Sequence, residues 1–164
     1  MNAFTTKNPQ IDAFHRQRSK CIDAFAELEE TVVSVQLFVK MKPSSDSLGQ
    51  KIESLRAAQS TQRLTDESRS NLYAALDKCT ALNAVRNDLV HSKMRFLENE
   101  LGSFAIFANT KNCRAFHQQA QMLTLEGLRH LYAETTEAIK ELQAILINRP
   151  SSPPPPSPGA ATGP

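Results

Sequence analysis

Between residues 10 and 149 the chain contains one proline, Pro43, and three glycines, Gly49, Gly102 and Gly127. Proline and glycine are the strongest local breakers of regular structure. Such sparse punctuation favours long helices in this stretch. From Arg149 the composition reverses to Pro-Ser-Ser-Pro-Pro-Pro-Pro-Ser-Pro-Gly. This tail cannot bury apolar surface, so an extended, polyproline-like or disordered segment is expected. Its PxxP spacing matches a recognition ligand, but an inert tail is the simpler reading of its composition. The sequence therefore divides into a helical domain, residues 8–148, and a Pro-rich tail, 149–164.

Apolar spacing places the helices. The first is expected to start with Asn8 as N-cap and Pro9 at the first helical position. Two heptad series run along it: Ile11, Arg18, Phe25, Val32 and Val39, and Phe14, Cys21, Leu28 and Val35. Arg18 interrupts an otherwise apolar seam, of the kind that packs lengthwise in a bundle. This helix should end before Pro43. A short helix follows over 47–59 on Leu48, Ile52 and Leu55. After a polar connection, Thr65 or Asp66 caps a third helix with a stripe of Leu72, Leu76, Cys79, Leu82, Val85 and Leu89.

Beyond Lys93 two apolar, aromatic-containing runs, 94–98 and 104–108, flank Asn99-Glu100-Leu101-Gly102 and predict a β-hairpin. Cys113 to His117 reads as a third short strand or as the start of another helix. Thr124 is the expected cap of the last helix. Its stripe is Leu125, Leu128, Leu131, Tyr132, Ile139, Leu142, Ile145 and Leu146. The expected fold is thus all-α: a bundle of three long helices and one short helix, with a small β-hairpin inserted before the last.

The 164 residues carry a formal net charge of +2, which argues against a general polyanion binder and leaves only local nucleic-acid contact. The cysteines, Cys21, Cys79 and Cys113, are odd in number, far apart and without a C-x-x-C pair. Reduced core positions are expected for them, rather than disulfides or a zinc site. Met1 to Gln10 lacks the apolar region of a signal peptide. No run approaches the ~20 apolar residues of a membrane span. A cytoplasmic protein without membrane attachment is expected, and no cofactor or metal site is indicated.

The sharpest cluster of chemical groups is Arg86-Asn87-Asp88-Leu89-Val90-His91, late in the third helix. In a chain of this composition, an Arg-Asn pair followed by His at this spacing arises by chance about once in a hundred sequences. Asn87 supplies most of that selectivity. Asn87 and His91 stand four residues apart and share a helix face. Arg86 and His91 stand about 140° apart around the axis and about 7.5 Å along it. One straight helix does not aim both at one atom: either the long Arg side chain bends round, or a second subunit across a two-fold axis supplies the other partner. The plain alternative is a helix end: His91 and Lys93 complement the dipole, and Arg86 pairs with a surface carboxylate. His15, His117 and His130 lack partners at metal-ligand spacing. Glu27, Glu29 and Glu30 read as a solvated face.

Arg86-Asn87-x-x-x-His91 late in a long helix resembles the motif of the HEPN (higher eukaryotes and prokaryotes nucleotide-binding) superfamily. The order of elements is similar to small bacterial HEPN-like proteins: a long first helix, a short helix opening like Ser47-Leu48-Gly49, the motif helix, a hairpin, and a final helix opening like Leu123-Thr124-Leu125-Glu126. The resemblance covers residues 8–148, and its one sharp motif is the six residues. It implies a homodimeric, metal-independent endoribonuclease that cleaves RNA by 2′-OH attack, serving as a toxin with an antitoxin partner or as a defence nuclease. His91 is then the general acid/base, Arg86 the phosphate and transition-state ligand, and Asn87 the orienting residue. Other members are inactive binding domains, which keeps open a non-catalytic dimerisation or partner-binding module, or a nucleotide-binding regulator. Arg18 is a candidate for a further polar residue of the site; its bland reading is an arginine snorkelling at the seam edge.

Overall fold

The computed structural model describes residues 9–42, 46–58, 61, 64–108 and 121–147. In chain order these form α1 (Pro9–Phe38), α2 (Leu48–Ala57), α3 (Asp66–His91), β1 (Lys93–Asn99), β2 (Gly102–Ala108), β3 (Gln121–Leu123) and α4 (Leu125–Ile147). Helices α1, α3 and α4 pack together as the body of the bundle, and α2 braces α1 and α3. The expected mostly helical bundle with a sheet inserted before the last helix is what the chain forms.

Both heptad series of α1 face the core. Phe14, Cys21, Phe25, Leu28, Val32 and Val35 are buried, and they meet Leu72, Leu76, Cys79 and Leu89 of α3 and Leu128, Leu142 and Ile145 of α4. Thr135 is fully buried in α4, where its hydroxyl donates to the Leu131 carbonyl at 2.8 Å. That local bond is what makes a buried hydroxyl tolerable. Tyr132, expected in the buried stripe, is instead 39% exposed, and Thr135 and Ala138 take the inward positions. A phenol at this tight packing site would lose its hydrogen bond to water.

Local chemistry sets the helix ends. Ser47 and Gln50 form a capping box at α2, and the Thr65 hydroxyl accepts from the Ser68 amide at α3. The Thr124 hydroxyl accepts from Gly127 N at 2.9 Å. α1 stops in a Schellman turn: Met41 N donates to Gln36 O and Lys40 N to Leu37 O, with Lys40 at φ 62. This left-handed position normally takes glycine. The chain thus turns before Pro43, as expected. Asn8, Pro43, the Cys113–His117 segment and the Pro-rich tail lie outside the described residues.

The hairpin pairs Lys93 with Ala108 through Asn99 with Gly102. The hairpin gains a third strand, at Gln121–Leu123, C-terminal to the Cys113–His117 segment for which a third strand is one option. β3 adds antiparallel to β2, with Ile106 opposite Met122, giving the order β1-β2-β3. Three residues just ahead of a helix cap carry too short a pattern to register as a strand; pairing with β2 is what extends them. The inner face packs on the bundle through buried Ala105 and Phe107 and through Phe96, whose ring meets Phe14 edge-on at 5.5 Å. Among the described residues no helix is long and apolar enough to cross a membrane.

Candidate functional site at the end of α3

Arg86 occupies a core-stripe position of α3, four residues after buried Leu82 and three before buried Leu89. A guanidinium there is driven inward by helical geometry and requires a carboxylate. Glu29 of α1 supplies it: Arg86 Nη2 donates to Glu29 Oε2 at 2.9 Å, and the arginine side chain is only 19% exposed. The other carboxylate oxygen, Oε1, accepts from Lys51 Nζ of α2 at 2.7 Å, and that lysine side chain is 9% exposed. Glu29 therefore bridges two cations from two helices, leaving the trio with one net positive charge. On its outer side Glu29 borders an open depression with Ala26, Glu30, Val33 and Lys51.

Arg86 retains unspent hydrogen-bonding capacity. Its Nη1 makes one long contact, 3.5 Å, to Asn87 Oδ1. Its Nε is buried without a hydrogen-bond partner among the described residues. Asn87 is half-buried beside it. One turn earlier, Asn83 reaches the start of α2, where its amide nitrogen lies 3.1 Å from the position of a β-carbon on Gly49. Gly49 thus gives the asparagine edge of α3 room against α2.

The end of α3 is clamped by Arg18. Its Nε and Nη2 donate to Leu89 O at 3.1 and 2.7 Å, and Nη2 also donates to Ser92 O at 2.8 Å. The guanidinium carbon lies 5.7 Å from the Phe107 ring centroid. A cation supplying donors to unpaired carbonyls at the negative end of a helix satisfies both hydrogen bonding and the dipole, and the ring adds a cation–π contact. The arginine that breaks the apolar seam is thus a half-buried clamp rather than a residue snorkelling at the seam edge. It ties α1, α3 and β2 together directly behind the motif.

His91 is the last residue of α3 and is exposed. Its imidazole forms no hydrogen bond or ion pair among the described residues. The structure therefore joins Arg86 to Asn87 but not to His91. The guanidinium is drawn towards Glu29, while the imidazole stands on the solvent side of a braced helix end.

Glu29 and Lys51 are the two site residues that sequence reasoning missed. Glu29 had read as part of a solvated acidic face; it is instead the buried-side counter-charge. The available signal was Arg86 itself, a cation on the stripe between Leu82 and Leu89.

Cys21 and Cys79 are buried free thiols, as expected, and Cys113 lies outside the described residues. Burial pushes each described thiol up to about 11, so neither is a nucleophile near neutrality. Among the described residues no group of three or more His, Cys, Asp or Glu converges as a metal site. Comparison of the chain with protein-family models, curated proteins and solved structures gave no match.

Proposed function

We propose that this protein is a cytoplasmic, metal-independent endoribonuclease of the HEPN type, working as a homodimer. The observation that carries the reading is the contrast at the end of α3. Arg18, Glu29 and Lys51 brace the helix and its arginine, yet the His91 side chain on that braced end is exposed and has no partner among the described residues. Such an imidazole adds little to folding and is free to exchange a proton with a substrate.

In this mechanism a two-fold axis brings together the α3 ends of two protomers. His91 takes the proton from a ribose 2′-OH, whose oxygen attacks the adjacent phosphorus. The bond to the 5′-oxygen breaks, and that oxygen receives a proton from an imidazolium, the second His91 being the available donor. The products are a 2′,3′-cyclic phosphate and a 5′-hydroxyl. Arg86 Nη1, the guanidinium nitrogen not committed to Glu29, faces the phosphate and stabilises its developing charge. Asn87 orients the phosphate or the imidazole.

One observation favours a second reading. Arg86 is already paired with Glu29, as a structural arginine would be, and this suits a non-catalytic dimerisation or partner-binding module. RNA cleavage in EDTA by wild-type protein and His91→Ala separates the two. Loss of cleavage in the variant supports the nuclease. Equal cleavage by both proteins rejects His91 as the catalyst, loss of wild-type activity on chelation rejects the metal-free mechanism, and a dimer inert toward RNA supports the binding module.

A further inference from the structure

The outer face of the sheet carries an apolar patch edged by cations. Strand alternation turns Met94, Phe96, Ala105 and Phe107 inward and puts Lys93, Arg95 and Leu97 of β1, Phe104 and Ile106 of β2, and Met122 of β3 on the opposite face. The register aligns Arg95, Ile106 and Met122 in one row across the sheet, and Leu97 with Phe104 in the next. Leu97 is 40% and Met122 57% exposed, and Phe104 and Ile106 are half-buried. Among the described residues Lys93 and Arg95 form no salt bridge, and no carboxylate belongs to this face.

The charge is one-sided in a chain that is nearly neutral as a whole. Net charge is +2 over 164 residues, and this face contributes two cations with no counter-charge among the described residues. β1 begins two residues after His91, so the cationic row starts beside the imidazole. A sheet face with an aromatic ring, aliphatic neighbours and bordering cations matches what single-stranded nucleic acid requires: a stacking platform and a track for its phosphates. A second copy of the chain would bring the same cations against themselves, since a two-fold contact is self-complementary.

We propose that the outer face of β1-β2-β3 binds single-stranded RNA and leads it to His91. Lys93 and Arg95 hold phosphates, and Phe104, flanked by Leu97, Ile106 and Met122, supports a base. This inference rests on the nuclease reading for its direction, but its binding step is measured separately. The assay is fluorescence anisotropy of a 5′-labelled single-stranded RNA oligonucleotide with His91→Ala protein, which keeps the RNA intact.

In that background Phe104→Ala should weaken binding about tenfold. Lys93→Gln/Arg95→Gln should reduce the slope of log K against log salt by about 1.4. Met122→Glu, at an exposed position that leaves the core untouched, should weaken binding by repulsion alone. Undetectable binding by His91→Ala protein, or binding unchanged in these variants, overturns the proposal. So does conversion of a dimer to a monomer by Met122→Glu in sedimentation, which assigns the face to self-association. RNA binding without wild-type cleavage sinks the catalytic reading alone; His91-dependent cleavage with unaltered binding by the face variants sinks this one alone.

Discussion

Replacing Glu29 by glutamine removes one negative charge from between two cations while keeping the shape of the side chain. The Lys51 and Arg86 side chains are 9% and 19% exposed, and Glu29 is 28% exposed. At an effective dielectric near 20, a pair about 3 Å apart attracts by roughly 5–6 kcal/mol before the opposing cost of desolvation. Removing one partner of a fully buried pair costs about 3–5 kcal/mol, and an exposed pair contributes about 0–1. Partial exposure discounts the buried figure, and two stranded cations raise it again, so we expect a loss of about 3 kcal/mol. Melting should fall by about 6–12 °C for a domain of this size.

Arg86→Gln should cost less, about 1–2 kcal/mol, because it leaves the 2.7 Å Glu29–Lys51 pair intact. The order of the two losses is the sharper test. Urea denaturation followed by circular dichroism gives both values, and the double variant gives their coupling, expected at about 1–2 kcal/mol. An Arg86→Gln loss exceeding that of Glu29→Gln would refute the bridging role of Glu29. A Glu29→Gln effect under about 0.5 kcal/mol, the range of ordinary surface changes, would do the same.

Arg18→Ala should destabilise by about 2–3 kcal/mol, since it strips charged donors from the Leu89 and Ser92 carbonyls; hydrogen exchange should show the last turn of α3 fraying, and unchanged protection there would contradict the clamp. Lys40→Gly should raise stability by up to about 1 kcal/mol in urea titrations, because the Lys40 φ of 62 suits glycine; a loss would mean that the lysine is held there by something else. Cys21 and Cys79 are raised from 9.0 to about 11 by burial, so the folded chain holds these protons more tightly than the unfolded one. Their contribution is therefore complete below pH 9 and is lost as pH rises towards 11, by about 2 kcal/mol per thiol. Cys21→Ala/Cys79→Ala should lose less stability than wild type over that interval, and parallel pH profiles would argue against the assignment.

The bundle was legible in the sequence because its information is local and repetitive. Scarce Pro and Gly, two heptad series in α1 and the stripe of α3 each repeat one instruction many times. Caps at Thr65 and Thr124 are equally local, since a hydroxyl and an amide three residues away suffice. Tyr132 was misassigned because its spacing admitted both an inward and an outward position, and packing chose the smaller Thr135 and Ala138. The place of β3 at Gln121–Leu123 is not legible in the sequence, because three residues form a strand only when β2 supplies the pairing.

The motif divides in the same way. That Arg86, Asn87 and His91 sit on one helix, with Arg86 and His91 turned apart, follows from 3.6 residues per turn and needs no tertiary knowledge. What the three residues face depends on the rest of the chain. Glu29 is 57 residues from Arg86, and Arg18 is 71 residues from Leu89; no spacing rule spans such separations. One arginine in an apolar seam and one glutamate in an acidic cluster became a clamp and a counter-charge only when α1 was laid against α3. Helical periodicity chose the direction of each side chain, and long-range packing chose its partner.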